Sequence, residues 1–580
     1  MTLMNLSTDA STRHPPLRLW PGGLIVALQW GMRFGVPHFV PDTTPIGVMA
    51  GLGGGVAILI WWGFFSRARW EERLGAVVAM AVVSYGTFRS VHPSIATGMM
   101  GFMFFVYVVP CLSLALVAAV LVGRKLSDGR RRALMAAAII LSCAGWTLVR
   151  TGGFTSDLKH DWAWRWAPTP EDRLLVQAGS KVGTVQPDRN RTAATNDKAN
   201  WPGFRGAGRD SVIRGVKIET NWSVSPPVEL WRQPVGPGWS SFAVAGAHIY
   251  TQEQRGDDEV VACYSLTDGA LVWRHQDAVR FWESNAGPGP RGTPTLHDGR
   301  VYTFGATGIL NALDAATGSV RWTRDVAAET KTRRPEWGFA SSPLIVGDLV
   351  IVAISGTLAA YELASGRPRW AGPAEGGSYS SPHLISIDGI PQIFLMSGSG
   401  ATSLAPADGK VIWQYGWKGF AIVQPAEIAA GDFLVSTGDT AGVRRIQVSR
   451  ANGVWSVNER WASSRLKPYF NDHVLHRGCV FGFGSGTLAC IDLQDGERKW
   501  KGGRYGAGQL LLLADQDLLL VLSEQGELAL VAAKPGEFSE LARFPALEGK
   551  TWNHPVLVGD ILLVRNDREM VAFRLAAKRD

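Results

Sequence analysis

Seven residues of this chain recur at one kind of place, a few positions before a short apolar run. They are Trp239, Arg291, Trp337, Tyr379, Gln424, Asn471 and Trp552. Several of these stretches end in Ser-Pro, Thr-Pro or His-Pro. Aromatic rings mixed with Arg, Gln and Asn supply what a concave binding site needs, contact area together with orienting polar groups. Arg291 stands in a Gly/Pro-rich segment (Gly287–Gly292) with no carboxylate next to it, which makes it the candidate for recognising an anion. The plainer alternative is that the seven side chains fill a channel mouth.

No catalytic or metal-ligating constellation accompanies them. The eleven His form no H-E-x-x-H, and His473 and His476, three apart in a strand or loop, fall on opposite faces of a strand. Neither G-x-S-x-G nor a phosphate- or dinucleotide-binding glycine loop occurs in the strand–turn–helix setting it requires. The five Cys (Cys111, Cys143, Cys263, Cys479, Cys490) contain no C-x-x-C and no vicinal pair. Zinc, c-type haem and thioredoxin chemistry therefore lack their ligands. Cys479 and Cys490 flank the Gly484-Ser485-Gly486 turn and can face each other across a hairpin; unpaired buried thiols are the expected state.

The elements that position the seven are revealed by an internal repeat. Cys263–Trp273, Ala312–Trp322, Ala360–Trp370, Ser403–Trp413 and Ala489–Trp500 share one layout, a short alternating strand, a Gly, and a Trp four residues after it. A degenerate copy ends near Trp455. About 45 residues with about four strands make one propeller blade, repeated radially so that few sheet edges stay exposed. Eight units can be counted. The last runs out at Leu575 before its Trp strand, and Glu229-Leu230-Trp231 supplies that strand from the other end of the domain. The fold expected for residues 201–580 is thus an all-β, eight-bladed β-propeller whose ends pair to close the ring.

Ahead of it, five apolar stretches (approximately 19–40, 45–65, 74–88, 97–122 and 133–149) predict an α-helical membrane domain of about five transmembrane helices in residues 1–150. No Asp or Glu lies inside these stretches, which argues against a proton or ion pathway and for an anchor. Arg33, without an acidic partner there, is expected to snorkel toward an interface. Residues 1–150 carry 13 Lys/Arg against 5 Asp/Glu, so the whole net charge of +8 resides there and the rest is neutral. The basic residues alternate with the loops, which places the N-terminus in the cytoplasm and everything after Arg150 outside, in the bacterial periplasm. A nucleic-acid partner is excluded, since the neutral C-terminal part has no basic face. Residues 151–200 read as a periplasmic linker. In it Trp162, Trp164 and Trp166 suit an interface, a short helix starts at Pro170, and a polar tether runs from Gly179 to Asn200.

The blade signature A-x-D-x-x-T-G-x-x-x-W, whole in Ala312–Trp322, resembles the pyrroloquinoline-quinone (PQQ)-type propeller repeat. The opening Asn200-Trp201-Pro202-Gly203-Phe204-Arg205-Gly206 is similar to the lead-in of bacterial members of that superfamily. The resemblance covers roughly residues 200–577 and implies one of two functions. One is a non-enzymatic scaffold or sensor like the propeller subunit of the outer-membrane β-barrel assembly machinery (BamB), with an envelope protein as partner and no cofactor. The alternative is a membrane-bound PQQ-dependent dehydrogenase that oxidises a sugar or alcohol and passes electrons to membrane quinone, with PQQ and Ca²⁺ as cofactors. The residues favour the scaffold, because the blades are close to minimal length and the vicinal disulfide of the alcohol-oxidising type is missing. Glu283, Glu336 and Asn471 are the nominees for a Ca²⁺ site under the alternative.

Overall fold

The computed structural model describes residues 17–40, 43–180, 199–436 and 442–578. The expected tether therefore falls mostly outside the described residues, as do Arg13 and Asp42. The chain forms two compact units, 1–167 and 168–580.

The first unit holds five long helices at the five apolar stretches, spanning 20–39, 44–65, Trp70–Phe88, Met103–Val122 and Asp128–Ala144. Two of them, Thr44–Phe65 and Met103–Lys125, are long and apolar enough to cross a membrane. Of the others, the third and fifth have charged residues in their first turn and the first carries Arg33 inside it. The third helix starts at Trp70, four residues ahead of its apolar stretch, so Glu71 and Glu72 occupy its first turn, where carboxylates suit the helix dipole. Glu72 is buried and accepts from Arg131 at 2.6 Å. Arg33 does not snorkel. It is buried, its guanidinium 4.8 Å from the ring centroid of Phe34 and 5.0 Å from that of Tyr107. Room for it comes from Gly51, where even a methyl group would approach the Arg33 side chain to 3.2 Å. After the fifth helix the chain turns into a hairpin, Val149–Phe154 against His160–Trp164. The linker expected from 151 is thus structured at its start. Trp164 and Trp166 stack there at 5.3 Å and, with Trp162, stay exposed. The helix foreseen at Pro170 is present and packs in the second unit, with Glu171 bonded to the Gly256 amide and to Arg280.

The second unit is an eight-bladed propeller. Its sheets run 243–277, 295–325, 344–371, 383–416, 426–463, 474–504, 509–545 and 556–574, the last completed by Val228–Pro234. Val228–Pro234 pairs antiparallel with Glu569–Arg574 and sets Trp231 opposite Ala572, so the ring closes as the repeat predicts.

The G-x-x-x-W spacing has a direct packing cause. In five blades the Gly of the last turn (Gly269, Gly318, Gly366, Gly409 and Gly496) sits at positive φ, and the previous blade's Trp lies on it. A methyl group on Gly269 would come within 2.6 Å of Trp231, one on Gly318 within 2.4 Å of Trp273, and one on Gly366 within 2.6 Å of Trp322. The indole N–H of each of these Trp donates to a carbonyl of the same neighbouring turn, Trp231 to Leu266 (2.9 Å), Trp273 to Ala315 (3.0 Å) and Trp322 to Leu363 (3.2 Å). One Gly–Trp pair thus clamps two blades. In the fifth blade the clamp is Trp461, not Trp455. Trp461 lies on Gly496 and donates to Leu493, whereas Trp455 sits near the tip of the elongated 443–463 hairpin, across from Arg450. The extra residues of that hairpin displaced the spacing.

All five cysteines are free. The register puts Cys490 opposite Phe481 and Cys479 opposite Asp492, so the two thiols are offset by two pairs along the hairpin.

Candidate functional site

A loop precedes the inner strand of each blade, and across the first six blades a polar residue of each loop is bonded to its counterpart in the next. The Ser241 amide donates to Thr293 Oγ1 (3.0 Å), the Thr293 amide to Ser342 Oγ (3.0 Å) and the Ser342 amide to Ser381 Oγ (2.9 Å). The Ser381 amide continues to Gln424 Oε1 (3.0 Å) and the Gln424 amide to Asp472 Oδ1 (2.7 Å). This belt explains the recurring Ser-Pro and Thr-Pro. A small hydroxyl fits the crowded axis, and the following Pro needs no N–H partner.

The belt also sorts the seven residues singled out by sequence. Gln424 is buried within it, its Oε1 also accepting from Ser380 and paired with His383. Asn471 is buried too and donates to Gly508 O at 2.6 Å. Arg291 is not without a carboxylate. Its guanidinium is 3.2 Å from Glu283 Oε1, bonded to the carbonyls of Gly287, Pro288 and Gly289, and lies 4.9 Å from the Phe281 ring centroid. Eight residues separate Arg291 from Glu283 in sequence, and the short Trp282–Glu283/Gly287–Pro288 hairpin folds them together.

The other four, Trp239, Trp337, Tyr379 and Trp552, are half-buried at the channel mouth, and other rings join them into one apolar surface. Ring centroids run Trp239–Trp552 4.9 Å, Trp552–Phe470 5.0 Å, Phe470–Tyr469 5.7 Å, Tyr469–Trp337 6.3 Å and Trp337–Tyr379 5.0 Å. Phe420, 56% exposed, completes it at 6.4 Å from Trp337. Polar groups fix the rings from beneath, with Trp239 donating to Ala286 O and Trp552 to Glu524 Oε1. The Lys550 ammonium lies 4.5 Å from the Trp552 centroid and 5.3 Å from that of Trp239, and burial lowers its pKa. Sequence reasoning missed Phe420, Tyr469, Phe470 and Lys550. For the last three the one local signal was adjacency, in Tyr469-Phe470-Asn471 and Lys550-Thr551-Trp552, and Phe420 had none.

The lead-in closes the other end of the axis. Trp201 bridges to Val244, Arg209 donates to the Ser342 and Pro343 carbonyls, Arg205 to His473 O, and Val212–Ile213 pairs in parallel with the seventh blade's inner strand. The segment thus touches the first, third, sixth and seventh blades.

A ring of eight such blades, clamped by Gly–Trp pairs and plugged by its own lead-in, defines a propeller of the PQQ-like repeat class. Residues 224–383, 257–502 and 389–579 match the sequence profile of the family described as "Outer membrane protein assembly factor BamB", and the chain belongs to that family. The outer membrane protein assembly factor BamB of Yersinia pestis is 22% identical over 336 residues, 54% of this chain and 72% of that protein. Among solved structures, BamB from Moraxella catarrhalis is 14% identical with a TM-score of 0.45, covering 61% of this chain and 99% of that one. Quinohemoprotein alcohol dehydrogenase from Comamonas testosteroni is 14% identical with a TM-score of 0.48, covering 70% and 85%.

The three Ca²⁺ nominees have other partners or positions. The carboxylate of Glu283 accepts the Asn285 and Ala286 amides (2.7 Å each) besides Arg291, Asn471 serves Gly508, and Glu336 is exposed. Among the described residues no group of three or more His, Cys, Asp or Glu is placed to hold a metal. These residues do not fit the calcium-held quinone, since a cation would first have to displace the Arg291–Glu283 pair.

Proposed function

We propose that this chain is a membrane-anchored propeller of the bacterial envelope that serves as a protein-binding scaffold in envelope assembly, holding its partner at the aromatic channel mouth. The observation that carries the reading is the joined ring surface, half-buried and with Phe420 and Tyr469 exposed, on a protein of the BamB family. Aromatic rings immobilised from below lose little entropy when a partner covers them, which suits them to protein contacts. Two apolar helices support the anchor, and the basic loops support a cytoplasmic N-terminus.

The test places a photo-crosslinking amino acid at Phe420 or Tyr469 of the full chain in cells. One discrete envelope-protein adduct, lost on Trp337→Ala, is expected. A folded protein that gives adducts only from outer-rim positions such as Leu541 would move the working surface away from the mouth. Alkaline phosphatase fused after residue 200 is expected to be active, and fused in the 124–132 loop inactive; the reverse pattern would invert the topology.

A further inference from the structure

At the plugged end of the axis the lead-in covers a cleft of about 520 Å³ against the fourth, fifth and sixth blades. Arg205, Arg209, His383 and His473 line it from inside, Arg214 stands exposed at the rim, and Asp210 and Glu427 are its acids. Counting Asp472 beside Arg205, the arginines and carboxylates match in number but are not paired one to one. Asp472 is 3.7 Å from Arg205. Arg209 has no carboxylate: its two terminal nitrogens donate to the Ser342 and Pro343 carbonyls, and its Nε is sealed from solvent without a partner. The Asp210 carboxylate instead accepts the Val212 amide. His473, 1% exposed, has neither ring nitrogen bonded.

Buried cations are normally paired, because taking a charge out of water costs several kcal/mol, and buried N–H groups normally have an acceptor. Here a guanidinium N–H and an imidazole in the wall of one cleft have none. We propose that this cleft binds a small oxyanion of the size of phosphate or sulfate, with Arg209 and His473 as its principal donors and Arg205 adding positive field. Burial and the charge of Arg205 lower the pKa of Arg209 to about 10 and of His473 to about 3, as expected where an opposing charge is lacking. The site lies on the lead-in, so it stands or falls apart from the mouth at the opposite end.

The experiment uses the purified full chain in phosphate- and sulfate-free buffer, titrated with sodium phosphate, sodium sulfate, or sodium acetate, against sodium chloride at equal ionic strength. Phosphate or sulfate is expected to raise Tm saturably by about 2 °C or more, beyond chloride. Calorimetric affinity is expected to fall at least tenfold in Arg209→Gln and in His473→Gln. Acetate acting as well as sulfate would assign the site to carboxylates and overturn the tetrahedral preference. Equal effects of sulfate and chloride, or unchanged sulfate affinity in both variants, would overturn the site. Should Arg209→Gln fail to fold, His473→Gln carries the same decision.

Discussion

Trp231→Ala tests whether the ring is closed by a strand from the far end of the domain. Trp231 is 7% exposed, donates its indole N–H to Leu266 O at 2.9 Å, and covers Gly269 of the first blade. Truncating a buried Trp costs about 3–5 kcal/mol through lost transfer free energy and the cavity left behind. The residue directly beneath, Gly269, has no side chain to fill the gap. A value near the middle, about 4 kcal/mol, applies. With an unfolding entropy of roughly 2 cal/mol/K per residue over a propeller of this size, that is about a 5 °C drop in Tm. The lost clamp also loosens Val228–Pro234 from Glu569–Arg574 and exposes a sheet edge, so concentration-dependent aggregation is expected below the transition. Differential scanning calorimetry and light scattering of the full chain read both effects, with Trp322→Ala, the same position two blades on, as reference. If Trp231→Ala melts within about 1 °C of the parent while Trp322→Ala shows the full drop, ring closure does not depend on this clamp and the argument is wrong.

Three further outcomes follow from the geometry. Trp461→Ala is expected to lower Tm by several degrees and Trp455→Ala by about 1 °C or less, since only the first lies on a neighbouring blade's glycine; equal losses would restore Trp455 as the repeat residue. Arg291→Met is expected to cost about 3–5 kcal/mol, because it strands Glu283 and three carbonyls; a neutral result by thermal melting would return Arg291 to the list of ligand-binding groups. His473, held at about 3 in the fold against an ordinary 6.5, stays neutral while the unfolded chain takes up a proton, so its contribution is intact above pH 6.5 and is lost as pH falls toward 3. Glu259, pushed up to about 7 by burial, works in the opposite direction over the same range. The readout is therefore the difference between parent and His473→Gln, with the parent losing about 2 kcal/mol more between pH 7 and pH 5; parallel pH profiles would show that His473 is not held neutral.

The sequence by itself determined the blade count, the closing strand and a helical region ahead of the propeller, in which two of the five expected spans are long and apolar enough to cross a membrane. Each rests on a local or periodic signal: a Gly that must take positive φ, a Trp four residues on, an apolar run of helical length. Such signals survive in one dimension because every blade repeats the same packing problem. It misplaced Trp455 because a longer hairpin shifted the period, and it passed over the 149–164 hairpin although Trp162 and Trp164 alternate as strand residues do. The site was legible only as rings before inner strands. Which side chains face the mouth and which are spent on the axial belt depends on eight loops converging from 300 residues of chain, and no neighbouring letters encode that meeting. Arg291 shows the limit most plainly. It has no carboxylate next to it in sequence, yet the fold returns Glu283 to within 3.2 Å and buries the pair. Arg209 is the reverse case: Asp210 follows it directly in sequence, yet the fold turns that carboxylate to the Val212 amide and leaves the guanidinium without an acid.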